Sequence, residues 1–192
     1  SICIGSHTNF LPDLAGTWIS HNPSVASINN SGRVNAISEG MSTFRFTDNS
    51  GCVSDTSIAI TVMPVPIVAI SGSSEICLGS TTSLTPVSGG IWISSTPSVA
   101  TVSSTGIVTS VNPGQATFRY INLTTGCTSD PTSPVTIHPR SLISLQGSST
   151  VCSGSSTLLT STGNNGIWIS SDTSVAKIIG TGNLYGVSPG FV

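Results

Sequence analysis
Apolar residues alternate with polar ones in short bursts along this chain, and a glycine, proline or asparagine interrupts each burst before it reaches helical length. In the stretch "GGIWISSTPSVATVSSTGIVTSVNPGQATFRY", residues 89–120, the runs 91–94, 99–103, 107–111 and 115–121 are β-branched or alternate in period two. Residues 81–85 and 135–137 read the same way, and Gly89-Gly90, Thr105-Gly106, Asn112-Pro113-Gly114 and Thr125-Gly126 fall between runs. Such runs are short strands bounded by turns. None carries an i, i+3, i+4, i+7 stripe of useful length, and the glycines and prolines would break one. Six or seven strands at intervals of about 8 to 12 residues predict a two-sheet sandwich filled by alternate side chains. Trp92, Val102, Val108 and Phe118 are its expected core.

The pattern occurs three times. Trp18, Trp92 and Trp168 are 74 and 76 residues apart, Cys3, Cys77 and Cys152 are 74 and 75 apart, and Gly40, Gly114 and Gly190 are 74 and 76 apart. The words "CIGS", "CLGS" and "CSGS", "WIS" three times, and "PSVA", "PSVA" and "TSVA" recur in step. A period near 75 is too long for a solenoid repeat and suits a small self-contained domain. The expected domains are 1–64, 65–139 and 140–192, the last of them partial. Aligning Gly190 with Gly114 leaves the third repeat short of its last strands, with its second cysteine expected about 11 residues beyond Val192, as Cys127 follows Ala116. The chain therefore reads as a window on a longer array.

The succession "WISSTPSVATVSSTGIVTSVNPGQATF" resembles the bacterial immunoglobulin-like group 2 domain, over two periods and the start of a third. The cysteine-bearing form, with "C-x-G-S" early and "G-C" after the last aromatic strand, is similar to repeats of large bacterial surface adhesins. The resemblance implies an all-β fold of tandem immunoglobulin-like β-sandwich domains, used in stalks, adhesins and surface layers, and implies no catalytic residues. Its other known settings, virion decoration and the extension of secreted glycosidases, keep a second function in view: a carbohydrate-binding or accessory module.

Cysteine usage adds a compartment. Cys3 and Cys52 are 49 residues apart and Cys77 and Cys127 are 50 apart, at the same two places in successive repeats, so a disulfide within each repeat is expected, with Cys152 unpaired in this stretch. Closing a loop of that size stabilises by up to about 4 kcal/mol in the chain-entropy model. Oxidising, extracellular conditions follow, and the resemblance implies a bacterial cell surface. No paired C-x2-4-C spacing suits zinc.

Charge and chemistry narrow the reading further. Only 6% of the 192 residues are charged, against 37% hydrophobic, and the five Lys and Arg are scattered. No basic stripe exists for nucleic acid or an anionic leaflet, and no apolar run approaches the roughly 20 residues that span a bilayer. His7, His21 and His138 do not recur between repeats. The acids, Asp13, Glu39, Asp48, Asp55, Glu75, Asp130 and Asp172, do not cluster as a calcium loop, and Asp55 and Asp130, which do recur, are expected as turn carboxylates. No set of residues reads as a catalytic triad, so no enzyme, cofactor or metal is expected. Trp18, Trp92 and Trp168 are expected in the core, with a sugar-stacking platform as the alternative. The linkers "VMPVPIVAI", 62–70, and "VTIHPRSLISL", 135–145, hold proline and no Gly/Ser tract, which favours extended joints and a semi-rigid rod. The expected function is structural: reach, stiffness and self-association with other copies or neighbouring repeats, with surface glycans as a further partner.

Overall fold
A computed structural model describes the chain apart from residues 13–14, 147–148 and 162–165. The described residues form strands and turns, with no helix among them. The chain divides into two compact units, Ser1–His138 and Pro139–Val192.

The first unit holds two copies of one sandwich, each with its own core. In the second copy one sheet orders the strands Ala100–Val102, Ile107–Ser110, Thr81–Thr85 and Ala69–Ile70. The facing layer runs from Glu75–Cys77 through Val135–His138 to Gly114–Ala116, and continues through Phe118–Asn122 to Gly90–Ser94. The predicted run 115–121 is thus two strands with a change of partner between them. At Thr117 the backbone leaves Val135–His138 and turns to Gly90–Ser94; its carbonyl accepts the Ser95 N–H at 2.9 Å and its N–H donates to Ser95 Oγ at 3.0 Å. The first copy repeats the device at Thr43, whose carbonyl accepts the His21 N–H at 2.9 Å.

Alternation fills the space between the layers. Leu84, Trp92, Val108, Phe118, Tyr120, Val135 and Ile137 form one buried cluster, with Val102 partly buried against it. Trp18, Val34, Phe44, Phe46 and Val62 form the corresponding cluster of the first copy. Gly106, at φ +79°, makes the turn beside Trp92, where a Cβ would stand 2.6 Å from the Leu84 carbonyl oxygen; only glycine fits there.

The linker read as 62–70 is shorter than expected. Ile60–Met63 closes the first sandwich and Ala69–Ile70 already opens the second, leaving residues 64–68 as the joint.

In the Pro139–Val192 unit the strands Ile143–Gln146, Ser156–Ser161, Asn183–Gly186 and Ala176–Ile179 make one antiparallel sheet in that order. Gly190 stands against Val175 as Gly114 does against Val99, which confirms the register of the third repeat. Residues 166–170, the counterpart of Gly90–Ser94, form no strand, and Ile167 and Ile169 are exposed.

Candidate functional site at a domain joint
Strand polarity decides where each cysteine lies. The short strand Ile2–Cys3 runs parallel to Ile60–Met63, with Cys3 beside Met63, so the first cysteine sits where the chain leaves the first sandwich. The neighbouring strand pairs Gly40 with Val62 and then runs away from that pole through Phe44–Asp48. Cys52 lies level with Asp48, whose N–H donates to the Cys52 carbonyl at 3.0 Å. From Gly40 to Asp48 an extended chain covers roughly 25 Å. The second sandwich repeats this geometry: Cys77 lies beside His138, and Cys127 is level with Asn122 at the opposite pole.

The disulfides expected within each repeat are therefore not those of the structure. Cys3 and Cys52 stand at opposite poles of one sandwich, as do Cys77 and Cys127, far beyond the 7 Å between Cα atoms that a disulfide can bridge. Instead Cys3 is bonded to Cys127, with their Cα atoms 5.6 Å apart, while Cys52, Cys77 and Cys152 are unbonded and exposed. The exit pole of the first sandwich is thereby stapled to the entry pole of the second. Sequence reasoning missed the bond because the near-equal spacings of 49 and 50 cannot distinguish pairing within a repeat from pairing one repeat further on. The parallel pairing of the first strand with the last was the missing signal.

The turn that carries the second cysteine is built from its own residues. Asp48 Oδ1 accepts the N–H groups of Ser50 and Cys52, both at 2.9 Å. Those bonds, that of Cys52 first and then the Ser50 hydroxyl, hold the Asp48 carboxyl below its ordinary range. Asn122 fills the same place in the second copy, its Oδ1 accepting the Thr124 and Thr125 N–H groups at 2.9 and 3.1 Å. Asn29 likewise caps a turn through the Ser31 and Arg33 N–H groups.

The remaining candidates do not come together. Trp18 and Trp92 are buried, their Nε1–H groups donating to the carbonyls of Pro12 and Pro86 at 3.3 and 3.0 Å, while Trp168 is half-buried. His7 is exposed, His21 bonds Thr43 Oγ1 at 2.8 Å, and His138 lies 3.4 Å from Glu75. Asp55 and Asp130 are exposed, and their carbonyls accept from the Ser54 and Ser129 hydroxyls. Asp172 is held low by the Ser174 hydroxyl and then its N–H. Asp13 lies outside the described residues. Among the described residues no three His, Cys, Asp or Glu side chains are grouped to hold a metal, and no helix is long and apolar enough to cross a membrane.

The described strands build an all-β, immunoglobulin-like fold. Residues 131–192, roughly a third of the chain, match the family model of the bacterial Ig-like domain (group 2), and the words "WIS" and "SVA" of that segment recur in the two preceding repeats. No curated protein matches the chain. Among solved structures it is similar to a C-terminal 282-residue fragment of intimin in complex with the intimin-binding domain of its translocated receptor, at 14% identity and a TM-score of 0.41. That likeness covers 72% of this chain and 58% of the fragment, so the chain spans less than two thirds of that relative. Domains 4 and 5 of the S-layer protein SbsC match at 21% identity and a TM-score of 0.26, over 65% of this chain and 71% of theirs. A Bacteroides ovatus mixed-linkage glucan protein, SGBP-B, in complex with a heptasaccharide matches at 13% identity and a TM-score of 0.26, over 73% of this chain and 43% of its own.

Proposed function
We propose that the chain is a load-bearing structural segment of a bacterial cell-surface adhesin or extracellular filament, acting by reach and stiffness and not by catalysis. The observation that carries this reading is the Cys3–Cys127 bond, which joins two consecutive domains across their joint. A disulfide inside a domain protects that domain alone. One placed across the joint makes the pair a single mechanical element, because tension along the chain passes through the sulfur bridge and bypasses residues 4–126, which leaves only the last strand of the second sandwich, Val135–His138, in the load path. The bond also fits an extracellular, oxidising setting. The burial of Trp18 and Trp92 removes two of the three aromatic faces on which a sugar platform would rest.

Force–extension of the oxidised chain held at its two ends tests the proposal. The bridge spans 124 residues, so reduction should release about 420 Å of further contour length at 3.3 to 3.6 Å per residue. Equal extension of oxidised and reduced chains would remove the mechanical role.

A further inference from the structure
The three first-position cysteines sit in one local structure. The carbonyls of Cys3, Cys77 and Cys152 accept the N–H groups of Ser6, Ser80 and Ser155 at 3.0, 2.9 and 3.0 Å. Cys77 occupies the exit pole of the second sandwich beside His138, exposed, as Cys3 occupies that of the first beside Met63. Cys52, at the entry pole of the first sandwich and exposed, stands where Cys127 stands in the second. Cys3 and Cys127 are already bonded, one from each class.

We propose that Cys52 and Cys77 are the open ends of a staggered disulfide ladder, in which the first cysteine of each repeat bonds the second cysteine of the repeat that follows it. Cys77 takes the second-position cysteine of a following repeat of this kind, and Cys52 takes the first-position cysteine of a preceding one. The rule is the translation of Cys3–Cys127 by one period, and it leaves no joint of an array unstapled. Each bond forms by exchange with a small-molecule disulfide. One cysteine thiolate displaces a glutathione thiolate from oxidised glutathione, and the second cysteine thiolate displaces the other, so two protein thiols give up two protons and two electrons and two reduced glutathiones leave. The ladder rests on the joint that carries the proposed function.

The test lengthens the chain by one complete repeat. Residues 65–149 are duplicated ahead of Ser1, so that the added repeat enters the first sandwich through the lead-in that precedes Thr150. After equilibration in glutathione buffer, alkylation and peptide mapping without reduction, Cys52 should be bonded to the Cys77 of the added copy and protected from alkylation, whereas in the parent chain it is alkylated. Alkylation of Cys52 to the same extent in both chains, or a bond between the added copy's own Cys77 and Cys127, would overturn the ladder. A second variant reads the other end: residues 115–138 are copied after Gly190 in place of Phe191 and Val192. There the new second-position cysteine should bond Cys77 and leave Cys152 free; a bond to Cys152 would overturn the proposal. If Cys77 stayed reduced, Cys3–Cys127 would still shorten the oxidised chain under force, so the two readings fail separately.

Discussion

Trp92 and Tyr120 are direct cross-strand partners, with ring centroids 5.2 Å apart at 59°, and both are buried. Trp18 and Phe46 stand in the same relation in the first sandwich, 5.1 Å apart. An aromatic pair at this place ties the two strands to the core, and the tryptophan Nε1–H fastens the turn before it. Trp92→Ala should cost about 3 to 5 kcal/mol by opening a cavity that the sheets cannot close. Denaturant unfolding would show this as a lower midpoint, with Trp92→Phe clearly milder.

Much of this was legible in the sequence. Period-two runs between glycine turns gave the strands 81–85 and 91–94 nearly to the residue, and the tryptophans of the first two periods marked the core, whereas Trp168 is half-buried. The short strands Ala69–Ile70 and Glu75–Cys77 were not legible, because two or three residues cannot display a period. The exchange of partner at Thr117 was hidden inside an unbroken apolar alternation. Cysteine pairing was hidden by symmetry, since shifting one partner by a whole period changes no local pattern.

Gly106 should resist substitution. A Cβ there meets the Leu84 carbonyl oxygen at 2.6 Å and Trp92 Nε1 at 3.2 Å, in a backbone region that already costs a non-glycine residue about 1 to 2 kcal/mol. Gly106→Ala should therefore lower stability by more than that, whereas Gly126→Ala, with open space around it, should show the backbone cost alone. Parallel urea titrations of the two variants compare them.

Acid should act through Asp48. Its folded-state carboxyl titrates below the ordinary value of 3.8, so its bonds to Cys52 and Ser50 are intact at and above that value and are lost as pH falls through the lowered one. The turn should hold unchanged from pH 7 to about pH 5 and loosen only below about pH 4. Asp48→Asn, which copies Asn122, should keep the turn and abolish this dependence; Asp48→Ala should lose the turn at every pH. Carboxyl and amide NMR shifts of Asp48 and Cys52 report both.

Removing the staple should be costly in a way that removing an open cysteine is not. Opening a loop of 124 residues forfeits about 5 kcal/mol in the chain-entropy model. Cys3→Ser and Cys127→Ser should each produce a loss of that order in denaturant, while Cys52→Ser, at an exposed position, should stay within about 0.5 kcal/mol of the parent.

Peptide mapping of the oxidised chain, with free thiols alkylated and no reductant added, tests the joint most directly. The structure predicts one linked pair of peptides, bearing Cys3 and Cys127, with Cys52, Cys77 and Cys152 not joined to either. Linked pairs Cys3–Cys52 and Cys77–Cys127 would contradict it, placing each bond inside a single sandwich and leaving the joint without its staple.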